Sequence, residues 1–148
     1  MKTVKIELFK SQCTIRELWE FTEDNLHIKG CPSPMYWTTE REIEALKQKK
    51  NIFLAISNGV MIGCIIVKGS NIETLCVKKR HRRKGVGESL VKHVESIMKA
   101  DKRRKNLYVS SFYPFKAKGF YERMGFEIDA DDKFERTWHL KKGLKNDC

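Results

Sequence analysis

No apolar run in this sequence approaches the ~18 residues that a membrane-spanning helix requires, and there is no Cys-x-x-Cys pair, no internal repeat and no low-complexity tract. The first absence argues against a helical membrane anchor. The second argues against a zinc site of ordinary spacing. The five cysteines, at 13, 31, 64, 76 and 148, are odd in number and scattered, so they read as free thiols in a reducing compartment rather than a disulfide frame. The opening residues carry no apolar signal segment, which sets the expectation of a cytoplasmic protein. With no obvious linker, the 148 residues are expected to form one domain, 1–148, large enough to bury a core.

Acidic residues are also scarce, with 19 Asp and Glu against 30 Lys and Arg, a formal net charge of +11. Such a balance favours anionic partners, and a nucleic-acid-binding domain is one reading of it. Against that reading, much of the charge is scattered in runs at 47–50, 99–105 and 141–145, which suit solvated helix faces and ends. The chain also lacks zinc spacing, basic-zipper heptads and an RNA-recognition signature. The tail from Lys141 onward is expected to fray.

The hydrophobic pattern predicts a mixed α/β (α+β) domain. Residues 4–9 alternate as a half-buried strand does. Thr14-x-x-Glu17 is a capping box that opens a helix, Thr39-x-x-Glu42 starts a second, shorter one, and Pro32 and Pro34 lie in the loop between them. Asn58-Gly59 between two apolar runs predicts a type I′ hairpin. A fourth strand follows Gly69-Ser70. The next helix, about 85–100, is expected to bury Val86, Leu90, Val94, Ile97 and Met98 and to expose Glu88, Lys92, Glu95 and Lys99. Leu107-Tyr108-Val109 reads as a fifth strand, Pro114 suits the first turn of a fourth helix, and Gly125 suits the left-handed position that ends it. Residues 126–128 and 134–140 complete a count of about seven strands and four helices.

The segment 75–90 carries the most chemical information. Leu75, Cys76 and Val77 end a strand; Arg80, Arg82, Arg83 and Lys84 crowd a turn; Gly85 and Gly87 open an amphipathic helix. Glycine permits a tight turn and close ligand approach, and free helix N–H groups with the positive end of the dipole favour an anion such as pyrophosphate. Leu90 stands where a dinucleotide-binding fingerprint needs its third glycine, and Lys84 precedes Gly85 where a P-loop needs Gly-Lys-Ser/Thr, so neither fits.

Arg82-Arg83-Lys84-Gly85-Val86-Gly87 does match Arg/Gln-x-x-Gly-x-Gly/Ala, the acyl-CoA signature of the GNAT superfamily of N-acetyltransferases. Residues 72–77 resemble that family's fourth strand. Ala117-x-x-Phe120-Tyr121-x-x-x-Gly125-Phe126 resembles its last motif, so the resemblance spans roughly residues 52–140 in the expected order. It implies a twisted, mostly antiparallel sheet in which the fourth and fifth strands splay around acyl-pantetheine. It also implies acetyl-CoA as cofactor, with CoA as product, and an amine acceptor that is a small molecule or a peptide or protein. Residues 13–50 would shape the acceptor site. No membrane partner is implied, nucleic acid is the less favoured partner, and the resemblance is compatible with a homodimer.

The resemblance implies a cofactor site made by Leu75, Cys76 and Val77 along the strand and by Arg82, Arg83, Lys84, Gly85, Val86, Gly87, Glu88 and Ser89 at the turn. The Val77 N–H is the implied donor to the thioester carbonyl. Tyr121 occupies the place of the family's catalytic tyrosine, although its spacing beside Ala117, Phe120 and Met124 equally suits a core position. Glu73 is the candidate base, since strict alternation would put Asn71, Glu73, Leu75 and Val77 on one face. His27, Tyr36 and Trp37 are candidates for the acceptor site; Glu40 is a weaker base, and His81, His93 and His139 read as surface or packing residues. The sequence departs from the family at Pro114, where many members have Asn, with Ser110 or Ser111 as substitutes, and at Lys78-Lys79-Arg80, where Pro is common. Two other readings remain: a non-catalytic acyl-CoA-binding module and the basic nucleic-acid-binding domain.

Overall fold

Threonine N-caps fix where the first two helices begin. In the computed structural model, which describes residues 3–26 and 39–144, Thr14 and Glu17 exchange hydrogen bonds of 2.9 and 3.0 Å at the start of α1 (Ile15–Leu26). Thr39 accepts from the Glu42 N–H at 3.1 Å to open α2 (Glu40–Gln48). Each cap satisfies backbone donors that a helix start leaves over.

The strands are β1 (Val4–Leu8), β2 (Ile52–Ser57), β3 (Val60–Lys68), β4 (Asn71–Val77), β5 (Asn106–Phe112), β6 (Glu127–Asp132) and β7 (Thr137–Gly143). They form one sheet in the order β1-β2-β3-β4-β5-β7-β6. Every neighbouring pair is antiparallel except β4 and β5, which are joined through α3 (Val86–Lys99) and run parallel. The short α4 (Lys118–Arg123) links β5 to β6. At the β2–β3 turn Asn58 and Gly59 have φ of 51° and 74°, the two left-handed residues that a type I′ hairpin requires.

The two faces of the sheet bury separate clusters. Leu18 of α1 and Ile43 and Leu46 of α2 pack on Ile52, Leu54, Cys64, Ile66 and Cys76. On the other face, Val86, Leu90, Val91, Val94 and Met98 of α3, with Tyr121 of α4, pack on Phe53, Ile65, Val67, Leu107, Val109 and Leu140. Cys13, Cys64 and Cys76 are free thiols; Cys64 and Cys76 face each other across β3 and β4, with sulfurs 3.4 Å apart.

Several local expectations are corrected. Ile97 is 47% exposed, because the buried stripe of α3 turns through Val91 instead. Pro114 lies in a separate 3-10 turn, Tyr113–Phe115, and α4 begins only at Lys118. Phe134 belongs to the β6–β7 turn and is 92% exposed. The chain from Lys141 to Leu144 does not fray: Lys141, Lys142 and Gly143 pair with β5, the Leu144 N–H reaches the Lys105 carbonyl at 2.8 Å, and Leu144 is buried.

Glu95 is likewise buried rather than solvated. Its carboxylate accepts from Lys142 of β7 at 2.9 Å and pairs with Lys99 at 3.2 Å, tying α3 to the far half of the sheet. Burial pushes its pKa up, but the two ammonium groups outweigh burial and hold it below the ordinary 4.5. The folded pKa is thus the lower one, so this contribution is present above the ordinary value and is lost as pH falls through the folded pKa. Replacing Glu95 with Ala strands the half-buried Lys142 and should cost about 1–3 kcal/mol in urea unfolding at neutral pH. That deficit should shrink as pH falls below about 4.

Candidate active site

The wedge between β4 and β5 is the main irregularity of the sheet. Their parallel ladder contains Asn71↔Tyr108 and Ile72↔Val109 and then stops, although β4 continues to Val77 and β5 to Phe112. Beyond the last pair, β5 stays with β7 through Ser110↔His139, Ser111↔Trp138 and Phe112↔Thr137, while β4 stays with β3. A slot therefore opens between two strands that are each held firmly on their outer side.

The wedge's β4 wall has identifiable hydrogen-bonding groups. The Lys78 N–H bonds the Ile62 carbonyl at 2.8 Å, and β3 pairs Cys64 with Cys76 and Ile66 with Thr74. By strand alternation Thr74, Cys76 and Lys78 direct their main-chain groups toward β3, so Leu75 and Val77 direct theirs into the wedge. Cys76 lies between them with its thiol in the α1/α2 cluster and its main chain turned away. The Val77 carbonyl is taken by Arg82 Nε at 2.9 Å, which leaves the Val77 N–H and both polar groups of Leu75 facing the slot.

The same Arg82 guanidinium donates to the Asn25 carbonyl at 2.7 Å, joining the end of β4 to the end of α1. Its side chain is therefore a clamp. Arg80, Arg83 and Lys84 are exposed and make no ion pair with a described residue, so their cations surround the turn unneutralised. A short 3-10 turn, Lys79–His81, replaces the proline of the resemblance.

Gly85 is the N-cap of α3, with φ +84° and no side-chain capping bond. The first-turn N–H groups of Val86, Gly87 and Glu88 thus lack a side-chain acceptor at the positive end of a 14-residue helix. Glu88 turns its carboxylate outward to Lys92 at 2.7 Å, and Ser89 is exposed on the same turn. A Cβ on Gly87 would meet the Phe120 ring at 3.5 Å and Val77 at 3.8 Å, so the glycine lets α3, α4 and β4 converge beside the wedge.

Tyr121 is a core residue, the packing role that its spacing suited. It is 5% exposed, edge-on to Phe120 and Phe126 with ring centroids 5.1 and 5.5 Å away, and part of the core. Its hydroxyl has no hydrogen-bond partner among the described residues, and burial raises its pKa. An unpaired buried hydroxyl is costly, which marks the phenol as a group awaiting an acceptor.

Glu73 sits at the apex of the wedge, but not as alternation predicts. β3 pairs Ile66 with Thr74 and Val67 with Ile72, so Glu73 is the extra residue of a β-bulge. The bulge breaks the parity: Ile72 shares the α3 face with Leu75 and Val77, and Glu73 stands between the two registers near Lys68. Ser111 is buried on the α3/α4 face, whereas Ser110 points to the opposite face. There it meets His139, Oγ to Nδ1 at 2.9 Å, a contact hidden from sequence reasoning because only the β5–β7 register joins residues so far apart. His93 does pack, edge-on to Phe53 at 4.9 Å. His27, Tyr36 and Trp37 lie outside the described residues. No group of three or more His, Cys, Asp or Glu suited to a metal occurs among the described residues.

Two stability measurements probe this geometry. Gly85→Ala should lower stability by about 1–2 kcal/mol in urea unfolding, because φ there is left-handed while a Cβ would meet no neighbour. Tyr121→Phe should leave stability unchanged or raise it by up to ~1 kcal/mol, since it removes an unpaired hydroxyl and keeps the ring.

Residues 33–141 match the family model described as acetyltransferase (GNAT) domain. No functionally curated protein matches the chain in sequence. Among solved structures, the chain is similar to the PaiA N-acetyltransferase of Thermoplasma acidophilum, determined with coenzyme A (TM-score 0.78, 16% identity, 95% of this chain and 99% of that one). It is also similar to GNAT-family acetyltransferases of Staphylococcus aureus (TM-score 0.75, 20% identity, 97% and 100%) and Streptococcus pneumoniae (TM-score 0.74, 17% identity, 97% and 100%). At these identities the structural likeness speaks for the fold, and the family model, which spans more than half of the sequence, speaks for descent. The chain belongs to the GNAT acetyltransferase family.

Proposed function

We propose that this protein transfers an acetyl group from acetyl-CoA to a primary amine by direct attack within a ternary complex. The observation that carries this reading is the parting of β4 and β5 beside the uncapped start of α3. It is a slot with main-chain hydrogen-bonding groups along one wall and, at its mouth, a helix start without a side-chain cap beside the exposed cations Arg80, Arg83 and Lys84.

Acetyl-CoA supplies the acetyl group as an activated thioester. The N–H groups of Val86, Gly87 and Glu88 hold the pyrophosphate, with Arg83 and Lys84 neutralising its charge. Leu75 and Val77 accept the pantetheine arm as a partial replacement for the missing strand, and their inward N–H groups polarise the thioester carbonyl. Ser111, on the same face as α3 and α4, is the proposed polar contact in place of the Asn that Pro114 displaces. Glu73, at the apex, is the carboxylate placed to draw the proton from the acceptor amine.

Tyr121 holds its proton toward the departing sulfur. Burial has raised its pKa, so full transfer to a thiolate, whose conjugate thiol has a pKa of ~8.5, would be uphill. The phenol therefore acts by hydrogen bonding to the leaving thiolate. The acceptor site is proposed to include His27, Tyr36 and Trp37.

Calorimetric titration with acetyl-CoA, CoA and a dephosphorylated analogue, followed by thiol release in the presence of a panel of primary amines, tests the reading. Binding that weakens without the phosphates, and weakens again in Gly85→Val, is the expected result. Tyr121→Phe should lower turnover about 10²-fold with little change in cofactor affinity. Cofactor binding with no turnover on any amine would favour a non-catalytic acyl-CoA module. Binding of oligonucleotides in place of CoA would favour the nucleic-acid reading.

A further inference from the structure

We propose that Ser110 and His139 form a proton relay on the acceptor side of the wedge, a deepening that rests on the transferase reading above. Ser110 is the first β5 residue beyond the last β4–β5 pair, directly across the apex from Glu73, the first β4 residue beyond it. Its Oγ lies 2.9 Å from His139 Nδ1, and the pair is exposed. The buried residues Leu107, Val109 and Ser111 alternate with it, so Ser110 faces away from α3 and α4.

This orientation matters because α3 and α4 cover the other face. An acceptor amine reaches the slot from the side on which Ser110 stands, since among the described residues no helix packs over that face of β5 and β7. A hydroxyl there, backed by an imidazole open to solvent, has the parts a proton relay needs.

The proton balance closes. Glu73 takes the first proton, that of the incoming ammonium; as the freed amine nitrogen bonds the carbonyl carbon and the C–S bond breaks, the nitrogen must shed a second. Ser110 Oγ takes it while passing its own proton to His139 Nδ1. The imidazolium returns to neutral by losing one proton to solvent, and the serine ends as it began. Across the sheet, β6 brings the carboxylates of Glu127 and Asp132 to this face, and Lys141 pairs with Asp129 of β6 at 3.3 Å. Tyr108 of β5 lies opposite Lys141. These groups, with Glu73 across the wedge, are the charged and titratable side chains around the pair.

The test uses the full chain, with acetyl-CoA thiol release measured on water and on a panel of primary amines. Calorimetry supplies cofactor affinity, and the His139 ring proton is followed by NMR against pH. Ser110→Ala and His139→Gln should each lower kcat at least tenfold, while acetyl-CoA affinity stays within about threefold of the parent. His139→Gln should flatten the acidic limb of the pH–rate profile, Ser110→Thr should restore most of the rate, and Ser110→Ala should shift the His139 titration. Equal rates in parent and both variants, with Glu73→Gln alone impaired, would overturn the relay and leave the transferase reading intact. Absence of thiol release with every acceptor would overturn both together, and cofactor titration would then show whether the wedge binds at all.

Discussion

The structure depends on a pairing that stops early. Two registered pairs join β4 to β5, and the proposed cofactor slot opens where a third would have been. Three restraints keep the strands apart. Each wall is bonded on its outer side, β4 to β3 and β5 to β7, so neither can swing inward without breaking a ladder. The bulge at Glu73 adds local twist just where the ladder ends. Arg82 then fixes the end of β4 to the end of α1. The result is a set of polar main-chain groups held without a strand partner, which is costly in a protein core and useful only where a ligand completes it.

The charge of the chain divides into structural and available parts. Arg82, inside the signature, is consumed by two carbonyls, and Lys142, in a tail that looked solvated, is consumed by Glu95. Arg80, Arg83 and Lys84 remain unpaired among the described residues around a helix start that already favours anions. A net charge of +11 alone therefore says little about partners; the few cations at the mouth of the wedge say more.

Features encoded within a few residues were legible in the sequence. The Thr14–Glu17 capping box, the Thr39 N-cap and the Asn58-Gly59 turn form as their local chemistry requires, and Gly125 has the left-handed φ of +95° that ends α4. Misreadings arose where a distant partner decides. Glu95 looks solvent-facing by helical period and is buried because Lys142 arrives from β7; Ile97 yields its place to Val91 because of how α3 sits on the sheet. The parity of β4 fails at Glu73 because a bulge is a property of two strands, and no period within one of them reveals it. The Ser110–His139 contact has the same origin.

The packing of Tyr121 and the role proposed for it need not compete. The aromatic packing of Phe120 and Phe126 makes it a core residue, and its hydroxyl has no hydrogen-bond partner among the described residues. Burial raises the cost of the phenolate, which weakens the group as a full proton donor. The same burial strengthens a hydrogen bond to an anion beside it, because few competing dipoles screen the interaction. A leaving thiolate is a soft, stable anion that needs stabilisation more than protonation. In the proposed reaction a phenol made a poor acid by its surroundings is suited to that task, and the cost of leaving its hydroxyl unpaired in the free protein would be recovered when the sulfur arrives.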